Sequence, residues 1–398
     1  MAGLYIHVPF CASRCVYCGF YSTLTPKPTT RGKGKSIIDR YVDALCRELE
    51  LRKEYIFNYN TNSEKDPKLQ TIYFGGGTPS QLSFRHIEQI FKCIQTVYGN
   101  HITSFGDMEI TFECNPDDIT EEFANNLKHL PINRISMGAQ TFSDERLKFL
   151  RRRHKANDVK TAISRLRNAG IRNISIDLMF GFPDETLEDW QEDVREALAL
   201  SVEHISAYSL MYEEGTPLYR LLEEGKVKDM DDELYRTMYD ALIDSLSAER
   251  YEQYEISNFA KLTDGDTSAF RSKHNSSYWQ NKPYLGIGAS AHSYNLQTRQ
   301  WNVSNLQKYI ESIETGKLKQ ETEIIDADTH FNDIITTTLR TREGINISAL
   351  SSQYKAHILH TAQPFIAQKL LVLDGNYLHF TRDGIYVSDN IMAELTYV

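Results

Sequence analysis

The chain has 398 residues and carries 44 Lys and Arg against 54 Asp and Glu, a formal net charge of −10. At roughly 150 residues per domain that is room for two or three domains with a large core, so disulfide staples are not needed. A hydrophobic share of 41% and a charged share of 25% exclude a disordered, collagen-like or multi-span membrane chain, and the acidic balance speaks against a nucleic-acid binder. No apolar run approaches the ~18 residues of a membrane span. Met1–Phe10 has neither a basic n-region nor an apolar h-region, so a cytoplasmic protein is expected. Small basic patches stand at Arg31–Lys35 and Arg151–Lys155, and the first reads as solvated surface.

Leu4–Val8 is short, apolar and β-rich and predicts a strand that runs into a cysteine-bearing loop. Thr23–Lys35, rich in Pro, Thr, Gly and Lys, predicts a flexible surface segment. Helical spacing follows over Ile37–Phe57, then a strand, Thr71–Phe74, runs into Gly75-Gly76-Gly77. Leu82–Tyr98 predicts a helix, Met108–Phe112 a strand, and Thr120 an N-cap with two glutamates behind it. The alternation continues with strand Arg134–Met137, helix Lys155–Ala169, strand Ile174–Met179, helix Leu187–Leu200 and strand His204–Leu210. After the longer first unit the spacing is roughly 25 to 40 residues, as βα units have. The fold class is therefore α/β: right-handed parallel connections make a barrel or an open doubly wound sheet. In a barrel the functional residues lie at the C-terminal strand ends, which is where the cysteines, the glycines, Glu113, Gln140 and Asp177 fall.

Helices at Thr216-Pro217 and Glu233–Ser247 follow. Residues 257–319 read as an irregular connecting segment. From about residue 320, helices precede Leu370–Leu373, Asp374-Gly375-Asn376, Tyr377–Phe380 and Ile385–Val387, the pattern of a winged-helix-like module. This part holds five basic against ten acidic residues, so a protein-contact or lid role is expected rather than a DNA-binding wing. The expected organisation is a core over 1–256, a connecting segment over 257–319 and a C-terminal domain over 320–398.

Cys11, Cys15 and Cys18 lie within eight residues, whereas Cys46, Cys93 and Cys114 are scattered and read as small apolar or strand-end residues. That is no disulfide framework. It points to metal chemistry in a reducing compartment. Structural zinc wants four protein ligands, and only His7 is at hand to complete the set. A 4Fe-4S cluster normally takes four cysteines, so three would leave one iron open. Gly75-Gly76-Gly77-Thr78-Pro79 is neither a P-loop nor a Rossmann fingerprint. Gly34-Lys35-Ser36 looks like the end of a Walker A motif, but Thr29 stands where its first glycine belongs and no strand precedes it. A triple glycine after a strand is commonly a turn. Beside an open iron it is also a place where backbone can approach a ligand closely.

Tyr5-Ile6-His7-Val8-Pro9-Phe10-Cys11, the cysteine spacing, Gly75–Pro79 and Ser136-Met137-Gly138-Ala139-Gln140 resemble the radical S-adenosylmethionine (SAM) superfamily. More narrowly they resemble the group that contains oxygen-independent coproporphyrinogen III oxidases and haem chaperones. The resemblance spans nearly the whole chain and implies a partial (βα)6 barrel. It implies that Cys11, Cys15 and Cys18 bind a 4Fe-4S cluster, with S-adenosyl-L-methionine chelating the fourth iron. Tyr5 and Tyr17 would flank that cofactor, Gly76, Gly77 and Thr78 would meet its methionyl end, and Glu113, Gln140, Arg152 and Asp177 would touch it. Carboxylates suit ribose hydroxyls or an ammonium, and Arg suits a carboxylate. For Arg152, one of three consecutive arginines, a surface helix is the other reading.

Three departures separate this chain from the oxidases. The third cysteine is followed by Gly19-Phe20 rather than completing Cys-x-Cys, Cys11 comes almost at the start, and Glu185 stands in Gly181–Thr186 where the group often has Gln. A positive feature is His274-Asn275-Ser276-Ser277-Tyr278-Trp279, which resembles the motif associated with haem binding in the chaperones. Imidazole is a common axial ligand of haem iron, so His274 is the expected ligand on an exposed loop and His292 the second candidate. The resemblance implies haem delivery to haem proteins such as respiratory cytochromes, an electron donor for the cluster, and no coproporphyrinogen oxidation. It leaves open a membrane-protein client and a homodimer. The alternative is the oxidase itself, a radical decarboxylase of porphyrinogen propionates.

Overall fold

In the computed structural model, which describes residues 2–26, 35–57 and 68–397, six parallel strands stand side by side in chain order. They are β1 (Ala2–Val8), β2 (Leu69–Gly76), β3 (Glu109–Cys114), β4 (Arg134–Gln140), β5 (Asn173–Phe180) and β6 (His204–Ser209). The crossovers are helical: α1 (Ile37–Leu51), α2 (Phe84–Tyr98), α3 (Glu121–Leu127), α4 (Asp144–Phe149), α5 (Ala156–Asn168) and α6 (Leu187–Ala199). After β6 come α7 (Pro217–Glu223) and α8 (Asp232–Ala248). The expected cap at Thr120 forms, its hydroxyl accepting from Phe123 N. Residues 27–34, and with them most of the basic patch at 31–35, lie outside the described residues.

Side chains alternate across a strand. One row, including Leu4, Ile6, Ile72, Phe74, Ile110, Phe112, Ile135 and Ile176, is fully buried in the main apolar core. The other row is polar: Tyr5, Tyr73, Glu113, Arg134, Ser136, Asp177 and His204.

The stretch over 257–319 is not irregular, and the expectation is corrected. β7 (Tyr251–Glu255) and β8 (Asn258–Lys261) extend the sheet antiparallel beyond β6. At the other edge β9 (Tyr284–Ile287) pairs parallel with β1, and β10 (His292–Tyr294), β11 (Thr298–Asn302) and β12 (Gln320–Ile324) follow antiparallel. The result is one twelve-stranded sheet that also crosses the boundary expected at 320. These strands are only three to five residues long, too short for a period-2 signal to stand out. Between β8 and β9, His274 to Trp279 form most of a short helix, α9 (Lys273–Trp279).

The C-terminal part has its own core, including Phe331, Ile335, Ile358, Leu378 and Ile391. Its hairpin, Leu371–Asp374 and Tyr377–Phe380, turns at Gly375 with φ 56°. The expected strand at Ile385–Val387 is instead the end of a helical turn, Arg382–Ile385, and the third strand is Ile345–Asn346. Ion pairs Arg382–Asp240, Arg236–Asp383 and Arg299–Asp333 tie this part to the rest. Among the described residues no helix is long and apolar enough to cross a membrane.

Two features of α1 were not expected. Cys46 pairs with Cys93 of α2 as a disulfide with Cα atoms 5.6 Å apart, so neither is a separate apolar filler. Glu48 is fully buried and accepts from Arg52 Nη1 (3.0 Å), Gly288 N (2.9 Å), Asn302 Nδ2 (2.7 Å) and Tyr309 Oη (2.6 Å). Arg52 also donates to Gly286 O, Ser293 Oγ and Gln300 Oε1. This cluster fastens the sheet extension to the barrel. Glu48→Ala leaves Arg52 charged, buried and unpaired, so urea unfolding should show a loss of roughly 3–5 kcal/mol, with Glu48→Gln milder. A loss below about 1 kcal/mol would mean that the pair does not fasten the extension.

Candidate functional site

Cys11 ends a two-residue strand, Phe10–Cys11, that pairs with Thr23–Leu24 and so closes the base of the cysteine loop. Val16 anchors the loop over the barrel mouth: its N–H donates to Leu150 O, its carbonyl accepts from Leu218 N, and it packs with Met179, Phe182 and Leu210. The loop thus presents Cys11, Cys15 and Cys18 to one cavity of about 180 Å³. Cys11 is buried and the other two are half-buried. Burial pushes the Cys11 thiol up and the Cys18 thiol up to about 11. The Thr78 hydroxyl donates to Cys11 Sγ (3.6 Å) and Arg152 Nη1 to Cys15 Sγ (3.6 Å), and a donor or cation beside a thiol favours the thiolate.

Tyr17, Gly76, Gly77, Thr78, Glu113, Gln140, Arg152 and Asp177 all line this cavity. The register of Arg152 is secure. Its Nη2 donates to Asn115 Oδ1 and Gly138 O, both at 2.7 Å, while Arg151 is exposed and Arg153 pairs with Asp117 and Asp118. Gly77 N donates to Val8 O, and a Cβ at Gly77 would come within 2.9 Å of the Val8 and Pro9 backbone. Gly76, at φ +110°, has the His7 ring where a Cβ would go, so its bareness serves the turn itself. Gln140 holds φ 67° at a register shift in the β4–β5 pairing, a conformation that non-glycine residues hold mainly where the surroundings impose it.

Tyr5 does not line the cavity. Its ring lies lower in the barrel, stacked near Tyr73 (6.2 Å between centroids). His7 Nε2 donates to Tyr21 O (3.0 Å), which leaves Nδ1 to accept from Tyr5 Oη (3.1 Å). Burial lowers His7 to about 4. It is therefore neutral with both nitrogens engaged, and it does not complete a zinc set with the cysteines. Among the described residues no three His, Cys, Asp or Glu side chains converge on one ion. Three thiols spread along one loop over a shared cavity fit a cluster, whose irons are separate.

His274 overturns the expectation of an exposed ligand. It is 1% exposed at the opposite, N-terminal end of the barrel. Its Nδ1 lies 2.8 Å from Thr71 Oγ1, its Nε2 lies 2.7 Å from Tyr278 Oη, and the ring stacks on Tyr73. Glu109 accepts from its backbone N–H and from that of Lys273, and burial lowers its imidazole to about 3. A haem iron would have to displace Tyr278 from Nε2 or Thr71 from Nδ1 and enter a buried position. His292 is exposed and stacks on Trp301 (5.8 Å), but it lines neither the cysteine cavity nor its neighbour.

A second cavity, of about 520 Å³, adjoins the first and shares Tyr17, Cys18, Glu113, Gln140 and Asp177 with it. Burial raises Glu113 to about 7 and Asp177 to about 6. Glu113 accepts from Tyr73 Oη (2.7 Å) and Asp177 from Ser136 Oγ (3.5 Å). Both face the two cavities, Glu113 one residue before the end of β3 and Asp177 within β5.

The family model described as the radical SAM superfamily matches residues 5–197. Haem chaperone HemW of Bacillus subtilis is 35% identical over 98% of this chain and 95% of its own length. The chain belongs to the HemW family of radical SAM proteins. Haem chaperone HemW of Lactococcus lactis is 32% identical, covering 98% of this chain and 96% of its own. Among solved structures, coproporphyrinogen III oxidase (HemN) from Escherichia coli, described as a radical SAM enzyme, matches with a TM-score of 0.80 at 20% identity, covering 99% of this chain and 90% of that one. That likeness concerns the fold.

Sequence reasoning missed Asn115, which accepts from Arg152 and whose Nδ2 lies 3.5 Å from Thr78 Oγ1. A polar residue directly after β3 was the available signal. It also left Glu185 without a role. Glu185 Oε2 accepts from Gly181 N (2.7 Å) and Phe182 N (3.1 Å), so its carboxylate staples the turn after β5.

The raised Glu113 pKa has a readable sign. An acid whose native pKa is raised binds more protons in the native than in the unfolded state, so stability falls as pH rises from about 4.5 through about 7. In cluster-free protein, unfolding free energy relative to Glu113→Gln should drop by on the order of 2 kcal/mol between pH 4.5 and 8. A difference that stays flat or grows with pH would refute the assignment.

Proposed function

We propose that this chain is a haem chaperone that carries a 4Fe-4S cluster and S-adenosyl-L-methionine and passes haem to haem proteins such as respiratory cytochromes in the cytoplasm. The observation that carries this is end-to-end similarity to proteins named haem chaperone HemW, in a chain whose third cysteine is followed by Gly19-Phe20 rather than by a further ligand. Cys11, Cys15 and Cys18 would hold the cluster, which would supply one-electron chemistry to S-adenosyl-L-methionine bound beside it.

The chain's own groups prepare that site. Thr78 and Arg152 stabilise the thiolates of Cys11 and Cys15. Arg152 stays fixed through Asn115 and Gly138 O. Glu113 and Asp177 accept donors of the cofactor, and Gly77 lets the Gly76–Thr78 turn lie flat against Val8 and Pro9. Around the mouth Phe20, Tyr208 and Met211 are exposed at 73%, 41% and 60%. Such apolar surface beside a cavity suits a flat hydrophobic cargo that must also leave. An electron donor is required for the cluster, and the client is a haem-accepting protein.

Anaerobic reconstitution tests the reading. The protein should take up iron and sulfide, give a reduced-state paramagnetic spectrum that S-adenosyl-L-methionine perturbs, bind haem with a Soret shift and pass it to an apo-cytochrome. Cys15→Ala should lose the cluster. Zinc uptake without iron or sulfide, or failure to pass haem, contradicts the proposal. Oxidation of coproporphyrinogen with S-adenosyl-L-methionine and reductant would favour the oxidase instead.

A further inference from the structure

The 520 Å³ cavity has an apolar mouth and a cationic floor. The floor is Arg134, the first residue of β4, with Asn275 of α9 and Tyr73 of β2 beside it. Arg134 is 1% exposed, among the largest fully buried side chains of the protein, and it lines the cavity. Its guanidinium carries five donors and no acceptor. Among the described residues none of these donors meets a protein acceptor: Nε is sealed from solvent without a partner, and no carboxylate lies within ion-pair distance. Arg52, the other buried arginine among the described residues, is satisfied by Glu48, Gly286 O, Ser293 and Gln300, whereas Arg340, half-buried, shares only the unpartnered Nε.

A buried cation without a partner is costly, and a binding site is where such a cost is offset by a ligand. Glu113 and Asp177 face the same cavity, but each accepts from a neighbouring hydroxyl, Tyr73 and Ser136, and neither reaches the Arg134 guanidinium. The donors of Arg134 are therefore left for a ligand. From Arg134 to Gln140 at the mouth the strand rises about 20 Å, enough for a rigid body with a short arm beneath it. Tyr17, Phe20, Tyr208 and Met211 line the upper part.

We infer that this cavity binds a planar apolar molecule bearing a carboxylate on a short arm, with the carboxylate on the Arg134 guanidinium. On the haem-chaperone reading, on which this rests, the ligand is a tetrapyrrole and the arm a propionate. A bidentate guanidinium–carboxylate contact out of water is strong and directional, and it fixes which edge of the ring enters first. The ring is then gripped from below by a side chain of the barrel, whatever ligates its metal.

Fluorescence titration with metal-free protoporphyrin IX and with its dimethyl ester tests this without any axial ligand. The unaltered protein should hold the free acid more tightly than the ester. Arg134→Gln should weaken the free acid by about 10-fold and leave the ester within about 2-fold, while Arg134→Lys falls between. Cluster uptake by each variant checks that it folds. If Arg134→Gln fails that check, Arg134→Lys and the acid-to-ester ratio of the unaltered protein carry the test. If acid and ester bind alike and Arg134→Lys matches the unaltered protein, the inference is overturned while the chaperone proposal stands. If neither porphyrin binds and haem does not bind either, both fall together.

Discussion

Everything at this site depends on how six parallel strands dispose of their second row of side chains. Both faces of such a strand are enclosed, one by helices and one by the barrel interior. Here the outward row is apolar and the inward row is polar, with Tyr73, Glu113, Arg134, Ser136, Asp177 and Ser206 around a common space. Buried polar groups must be satisfied by one another or by a ligand. Much of the lower part of the barrel satisfies its own, as in Ser175–His204–Tyr254 and Thr71–His274–Tyr278. Arg134 does not, and it faces the second cavity.

The short helix α9 closes the bottom of that space. His274 fills the interior, Asn275 reaches the second cavity, and Tyr278 bonds back to His274. Trp279 turns away to lie under Arg340, while its carbonyl accepts from Thr338 of the C-terminal part. A six-residue motif therefore joins the barrel floor, a cavity and the second core. Each of these placements gives the motif a structural role that needs no metal.

Much of this was legible in the sequence, and the pattern of success is physical. The βα repeat was plain because strands such as Ile174–Met179 and helices such as Leu187–Leu200 carry strong, separate periodicities. The cavity set from Tyr17 to Asp177 was legible because strand C-termini converge in such a barrel. Tyr5 was misplaced for a related reason: it stands in mid-strand, a full turn of the pleat below the mouth. The six-strand extension of the sheet was hidden because its strands are short and its register is set by distant groups, notably Glu48. His274 was misjudged because Asn, Ser and Lys around it suggest a loop, whereas Thr71, Glu109 and Tyr73, some 165 to 203 residues away in sequence, bury it. The Cys46–Cys93 pairing likewise depends on two helices meeting.

On the proposed function, cluster and haem occupy neighbouring cavities at one barrel mouth. Anaerobic crystals of the protein loaded with both, with iron located by anomalous scattering, test this directly. The expected result is a cluster on Cys11, Cys15 and Cys18, a haem iron in the adjoining cavity above Arg134, and His274 still bonded to Thr71 and Tyr278. A haem iron bound to His274, or one on His292 outside both cavities, would contradict it.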